Sequence, residues 1–306
     1  MWRKILRRFL FTLITLFGVS IIAFILPRLA GGDLARELLP ATATEAEIAA
    51  KRAAMGLDQP YIMQYLIYMG GVFHGDLGYS YQYSMAVAPL MFTRFLNTVR
   101  LTVWTFVIGT AIAIPMGLIA GTHKGQPIDT IVMFFALIGQ AVPQVWFCLL
   151  LILVFSVKLR WFPTQGIGGL KYMVLPCLSG LLNHASSTTR MLRSGMIDTL
   201  DEDYITATRA RGISWGKVYT KYALKNALLP LITILGSAIG TMAAGAMIVE
   251  TIFNWPGIGQ LMVSAISVRD YQLVQSILLF QATIMVLAVL LVDILYTVVD
   301  KRIEFN

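Results

Sequence analysis

Charge is scarce in this 306-residue chain: charged residues make up 13% of it, where a soluble domain carries about a quarter. Cysteine is scarcer still. The two present, Cys148 and Cys177, lie in apolar stretches without C-x-x-C spacing, which excludes a disulfide framework and a cysteine zinc site. The three histidines, His74, His123 and His184, are scattered, so no clustered ligand set for a structural metal is present. There is no G-x-x-x-x-G-K-[ST] phosphate loop, so the chain does not bind ATP in that way. There is no H-E-x-x-H, and Asp293 has no second mid-span aspartate, which removes two routes to an intramembrane protease. Internal repeats and buried mid-span acid groups, the marks of a self-contained secondary transporter, are also missing.

What is present is apolar. The chain is 57% hydrophobic with a mean hydropathy of +0.73. A spanning helix needs about 20 mostly apolar residues. Six stretches qualify or come close: Phe9–Leu29, Leu101–Thr122, Ile131–Val157, Met173–Thr189, Leu228–Glu250 and Ser276–Val299. The fourth is the most polar, and topology argues for keeping it. Arg3, Lys4, Arg7 and Arg8 precede the first span, which places the amino terminus in the cytoplasm. With six spans, the basic loop Arg190–Asn226 and the "DKRIEFN" tail fall on the same side. The net charge of +8 and the pI near 9.5 are read in this way, as positive-inside charge meeting anionic lipid rather than nucleic acid. The first span is expected to remain as an uncleaved anchor, because its apolar run is long and "PRLAGGD" lacks a small-residue cleavage site.

Residues Ala30–Asn97 read as an external segment with two short helices. In "TEAEIAAKRAAMG", Thr44 and Glu47 suit a capping box and Gly56 a C-terminal stop. In "LDQPYIMQYLIYMGG", Asp58 suits the N-cap and Pro60 the first turn. This subdomain is expected to rest on the membrane or meet a partner.

The stretch "DYITATRARGISWGKVYTKYALKNALLP", Asp203–Pro230, is long and basic. Thr199, Asp201, Glu202 and Asp203 suit a helix start, and Arg209 and Arg211 its last turn. Gly212 suits a left-handed corner, and Ser214 the cap of a second helix carrying Lys217, Lys221 and Lys225 toward Pro230. Two readings stand side by side: a solvated basic loop, or a lever that carries a push on the short helix into the fifth span. Small residues at Ala207 and Ala210 suit a docking face.

Polar residues inside spans are costly and mark candidate sites. Gln140, Gln144, Asn183, His184, Ser187 and Gln281 are candidates for lining a polar pathway, and Pro143 frees backbone groups between two of them. The alternative for each is an interhelical hydrogen bond, worth about 0.6 kcal/mol on average. Glu250 closes the fifth span before an external turn, Trp255-Pro256-Gly257, whose Pro-Gly order fits type II geometry. Asp293 is placed to pair with Lys301, Arg302 or a basic loop residue.

These segments resemble, in order and over nearly the whole chain, the permease subunits of ATP-binding cassette importers, within them the dipeptide, oligopeptide and nickel group. "KILRRFLFTLITLFGVSIIAF", "MGLDQPYIMQYLIYMGGVFHGDLGYSY", "DTIVMFFALIGQAVPQVWFCLLLILVFSVKLRWFPTQG", "ETIFNWPGIGQLMVSAISVRDYQLVQ" and "LLVDILYTVVDKRI" carry the likeness. The loop at Asp203–Pro230 resembles the family's EAA loop. Gly212 and Leu229-Pro230 fit it; Thr206-Ala207-Thr208 keeps only the middle alanine, and Ala227 replaces isoleucine.

The resemblance implies an all-α membrane protein: one permease domain over 1–306, with a first transmembrane helix (1–29), an external subdomain (30–99) and a five-helix transport core (100–306) carrying the coupling loop (190–227). It implies import of di- or oligopeptides by alternating access, with nickel or a metal chelate as the alternative cargo. Asp203, Tyr204, Ala207, Arg209, Ala210, Arg211 and Gly212 would contact an ATPase subunit. The implied partners are a second, homologous permease, two ATPases that hold ATP and magnesium, an extracytoplasmic binding protein and the lipid bilayer. The chain itself would hold no cofactor and catalyse nothing.

Overall fold

The computed structural model describes residues 2–29, 34–37, 39–40, 42–228 and 246–299. Most of the expected fifth span, the Leu229-Pro230 end of the basic loop and the pairing of Asp293 with Lys301 or Arg302 lie outside these residues. The chain divides into two compact units: Met1–Thr98 with Ala243–Met247 and Pro256–Asn306, and Val99–Met242 with Ile248–Trp255.

In the first unit, α1 (Trp2–Leu29) is followed by α2 (Leu34–Glu37), α3 (Glu45–Ala54), α4 (Tyr61–Phe73) and a two-residue-per-strand hairpin, β1 (Tyr79–Ser80) against β2 (Met85–Ala86). The hairpin is a small departure from the expected all-helical class. The α3 cap forms as the sequence suggests. Thr44 Oγ1 accepts from the Glu47 amide at 3.3 Å, and Glu47 Oε2 accepts from the Thr44 amide at 2.7 Å. Gly56, at φ +66°, turns the chain away. The next helix differs. Its N-cap is Pro60, not Asp58, because the fixed φ of proline already aligns the first turn. The hairpin is tied down where Ser80 Oγ donates to Asp270 at 2.6 Å.

Among the described residues, two hydrophobic clusters form the core of this unit. Ala23 and Phe24 of α1 meet Tyr68 of α4 and Leu279 of the last helix. Val87, Leu90 and Met91 pack on Ile258, Leu261, Leu273 and Ile277. The last two pairs come from α13 (Ile258–Ser267) and α14 (Tyr271–Val299); α12 (Met247–Ile252) precedes them.

The helix of the second span, α5, runs from Val87 to Thr122, so it begins at Val87 rather than at Leu101. Residues 87–97, read from sequence as external loop, are its first turns, because Val87, Leu90 and Met91 share one buried face.

In the second unit, the third span is not one helix. α6 (Pro127–Ala141) and the next helix, α7 (Gln144–Leu151) with its wider π-helical continuation Ile152–Lys158, bend by 99° at Val142-Pro143. Proline lacks the amide that would continue α6 and holds Val142 extended. α8 (Leu170–Leu200) contains the expected fourth span and continues through the first residues of the basic loop. Three described helices are long and apolar enough to cross a membrane, Arg7–Leu29, Val87–Thr122 and Tyr271–Leu290, or four if the bent pair counts as one.

α8 is the hub of the second unit. α6 and α7 pack on it, and α5 approaches it through glycines. A Cβ on Gly121 would lie 2.5 Å from Met196 Cβ, and one on Gly117 would lie 2.9 Å from the Thr189 carbonyl oxygen. Small residues one turn apart on α5 therefore set the helix spacing. At its far end, α8 buries Leu192 and Met196 with Ile205, Val218, Ala223 and Ala227. These come from α9 (Asp203–Ala210), from the π-helical turn Val218–Ala223, which continues α10 (Trp215–Lys217), and from α11 (Leu224–Ala227).

Candidate functional site

The basic loop folds as a short helix, a corner and a second helix. α9 starts after Glu202 and ends at Arg211, and Gly212 takes φ +80°, a conformation that costs a side-chain-bearing residue dearly. Ser214 occupies the next N-cap position but makes no side-chain cap bond. Only Ile205 of α9 is buried, at 2% exposure, and it anchors the helix in the cluster around Leu192.

Two of the predicted coupling residues bond to the loop itself, Tyr204 while remaining exposed. The Tyr204 hydroxyl accepts from Asn226 Nδ2 at 2.6 Å and donates to the Tyr222 carbonyl at 3.4 Å. The Arg209 guanidinium donates to the Ile213 carbonyl and lies over the Trp215 ring at 4.4 Å. Asp203, Ala207, Ala210, Arg211 and Gly212 remain exposed. The short helix is thus braced against the helix that follows it, with a face of small residues and one arginine turned outward.

The predicted pathway residues divide. Gln140 Nε2 donates to Ser187 Oγ at 2.7 Å, and Gln140 Oε1 accepts from Arg190. His184 Nε2 shares a 3.0 Å hydrogen bond with Thr110 Oγ1, and its ring packs on Phe106 at 4.6 Å. These three are occupied in joining α6 and α5 to α8. Gln144 and Asn183 are exposed, and Gln281 is half-buried on α14, in the other unit. Within the second unit the structure joins Gln140 to Ser187. Among the described residues no three His, Cys, Asp or Glu side chains are grouped to hold a metal ion.

The turn after α12 also differs from expectation. Gly257 has φ −97° and ψ −177°, so Pro256-Gly257 is not a type II turn, which needs a positive φ there. The left-handed residue is Asn254, at φ +47°. Glu250 is fully buried within α12, and its carbonyl accepts from the Trp255 amide at 2.8 Å. Gly257 is the N-cap of α13 and carries no side chain to cap with. Thr98 of α5 takes that role: its Oγ1 accepts from the Ile258 amide at 2.8 Å, and Asn97 Nδ2 donates to the Pro256 carbonyl at 2.9 Å.

Sequence reading missed the shortest ion pair among the described residues of the second unit. Arg193 Nε and Nη2 grip Asp129 Oδ1 and Oδ2 at 2.5 and 2.7 Å, and the Gly125 amide donates to Oδ2 at 2.9 Å. Asp129 is the third residue of α6, where a carboxylate also suits the helix dipole. The glycine spacing along α5, Gly117-x-x-x-Gly121, was a visible signal for the α5–α8 packing, not for this pair.

Two family models cover almost all of the chain. Binding-protein-dependent transport system inner membrane component matches residues 113–305, and the N-terminal membrane component of such systems matches residues 1–103. The chain is 35% identical to the oligopeptide transport system permease protein AppB of Bacillus subtilis, over 98% of this chain and 99% of that protein. It is 34% identical to the dipeptide transport system permease protein DppB of Escherichia coli K12, over 99% of each, and 34% identical to the glutathione transport system permease protein GsiC of Escherichia coli O6:H1, over 100% of each. Among solved structures, a chain of the methionine ABC transporter MetNI in inward facing conformations matches with a TM-score of 0.55 and 17% identity, covering 69% of this chain and 96% of that one.

The protein belongs to the binding-protein-dependent transport system inner membrane components. It is a multi-pass inner-membrane permease subunit of an ATP-driven importer; ATP hydrolysis lies in separate ATPase subunits, and a substrate-binding protein completes the system.

Proposed function

We propose that this permease imports di- or oligopeptides. Similarity over essentially the full length to permeases named for oligopeptides, dipeptides and glutathione, itself a small peptide, carries this reading. A second, homologous permease pairs with it, and two ATPases, which hold ATP and magnesium, dock on the paired basic loops. Both termini face the cytoplasm, so the α9 corner meets the ATPases. ATPase closure pushes the exposed Ala207–Ala210 face. Tyr204 and Arg209 transmit the push to α10–α11, and the permeases alternate between inward and outward access by differential contacts in the two states. The interhelical bonds of Gln140, Ser187 and His184 are the contacts that such a switch would exchange.

The test is ATP-coupled uptake in proteoliposomes holding the complete transporter and its binding protein. A labelled peptide mixture is expected to accumulate, and nickel is not. The Gly212→Pro variant, which cannot hold φ +80°, is expected to assemble and lose uptake. Nickel uptake without peptide uptake would replace the substrate reading. Peptide uptake that persists without the ATPases would remove the coupling mechanism.

A further inference from the structure

α6 carries one ionisable side chain, Asp129, and buries it at 3% exposure. Its partner on α8, Arg193, meets it with two guanidinium nitrogens, and the Gly125 amide shares the carboxylate. Breaking such a pair is costly, but apolar packing of the same volume holds two helices together as well. Stability alone therefore does not call for it. What the pair adds to packing is direction: two parallel bonds fix where the end of one helix sits on the other.

The pair stands where the short helix of the basic loop arrives. Ile205, the buried residue of α9, packs in the same cluster as Leu192 and Met196. Arg193 follows Leu192 and lies within one turn of Met196, so the turn of α8 that receives α9 also carries the grip on α6. Lys124, in the loop between α5 and α6, approaches Asp201 at the end of α8 to 3.8 Å, a second and exposed tie on that side. α5 meets this stretch of α8 in another way. A Cβ on Gly117 or Gly121 would press on Thr189, Leu192 or Met196, so the contact is one of close surfaces, on which packed helices slide. A displaced α8 would pull α6 with it and slip past α5.

The far end of α6 turns a small movement into a change of contacts. Gln140 lies about 17 Å along the helix from Asp129, just before the 99° break at Val142-Pro143. A tilt of about 10° around the pinned end moves Gln140 by about 3 Å. Its 2.7 Å bond to Ser187 does not survive such a shift. We infer that the Arg193–Asp129 pair is the joint through which movement of α9 reaches α6, which makes both side chains positioning residues for transport. This rests on the proposed action of the ATPases on α9.

The experiment measures peptide taken up per ATP hydrolysed, in proteoliposomes holding the complete transporter and its binding protein, with the labelled peptide mixture as cargo. Asp129→Asn and Arg193→Gln remove the joint from either side and leave the outward face of α9 as it is. Hydrolysis is expected to persist in both, and uptake per ATP to fall about tenfold. Gly121→Ala is the control for lost stability, since its Cβ strains the α5–α8 contact. In that variant uptake and hydrolysis are expected to fall in step, with the ratio kept. Should one pair variant fail to assemble, the other decides. A wild-type ratio in either pair variant that assembles would overturn the inference, since a joint needs both sides. A drop in the ratio as large in Gly121→Ala would overturn it too, by showing that any loosening of α8 uncouples transport. Wild-type uptake without the ATPases would defeat the reading of α9 itself, and this inference with it.

Discussion

At the scale of single residues, the structure turns on polar groups that finish what a neighbouring element leaves undone. Thr98 caps α13 because Gly257 cannot. Thr98 is 1% exposed, so Thr98→Val leaves the Ile258 amide buried and unpaired. The expected cost is about 1–3 kcal/mol, read as a lower unfolding temperature of the detergent-purified protein. Asp129→Asn is expected to destabilise by a similar amount, about 1–3 kcal/mol, since it strips the charge from the anchor of Arg193. The same assay on Arg193→Gln should give a comparable loss, and an unchanged melting temperature in both would show that the pair holds nothing together. Glu47 is fully exposed and works locally. Its bonds from the Thr44 amide and hydroxyl hold its carboxyl below the usual range. A depressed acid contributes order above its unfolded value and loses it as the pH falls through its folded value. Amide exchange in Glu45–Ala54 is expected to quicken on acidification, and Glu47→Gln to flatten that response.

At the scale of elements, the sequence announced most of what local chemistry decides. The α3 capping box, the Gly56 stop and the Gly212 corner were legible because each depends on a residue and its neighbours within one turn. Elements whose form depends on distant partners were not. The 99° break in the third span needs knowledge of what α7 packs against, since proline within a helix is tolerated at Pro115 and Pro176. The Pro256-Gly257 turn read as type II because its dipeptide suits one, whereas Thr98 made an extended N-cap glycine the better solution. Of the site residues, Asp203–Gly212 were legible as a helix and corner, but the loop contacts of Tyr204 and Arg209 were not, because Asn226 and Trp215 lie on another helix. The α5–α8 contact yields a prediction at this scale. Gly121→Leu is expected to destabilise the protein by about 1–3 kcal/mol or more, since even a Cβ there meets Met196 at 2.5 Å. Gly18→Leu on α1, where a Cβ meets nothing within 4 Å, is the matched control and should leave the melting temperature in place.

At the scale of the whole molecule, the chain is a permease whose ATPase activity lies in separate subunits, and the proposed function makes the outward α9 face the place where they act. Cross-linking makes that concrete: a cysteine at Ala207 or Ala210 is expected to join an ATPase subunit in the assembled transporter, and one at Tyr204, turned toward Asn226, far less. Equal cross-linking at all three would mean that α9 is only a solvated loop. The charge pair between α6 and α8 has a further consequence, for how the protein is made. Asp129 and Arg193 are 64 residues apart, and synthesis proceeds at about 5–20 residues per second. Asp129 is therefore added to the chain roughly 3–13 s before its arginine exists. α8, too polar to count among the helices that cross on composition alone, arrives carrying that partner. The later, more polar helix settles beside an earlier one that already waits with the opposite charge, so the order of synthesis itself favours the correct neighbour.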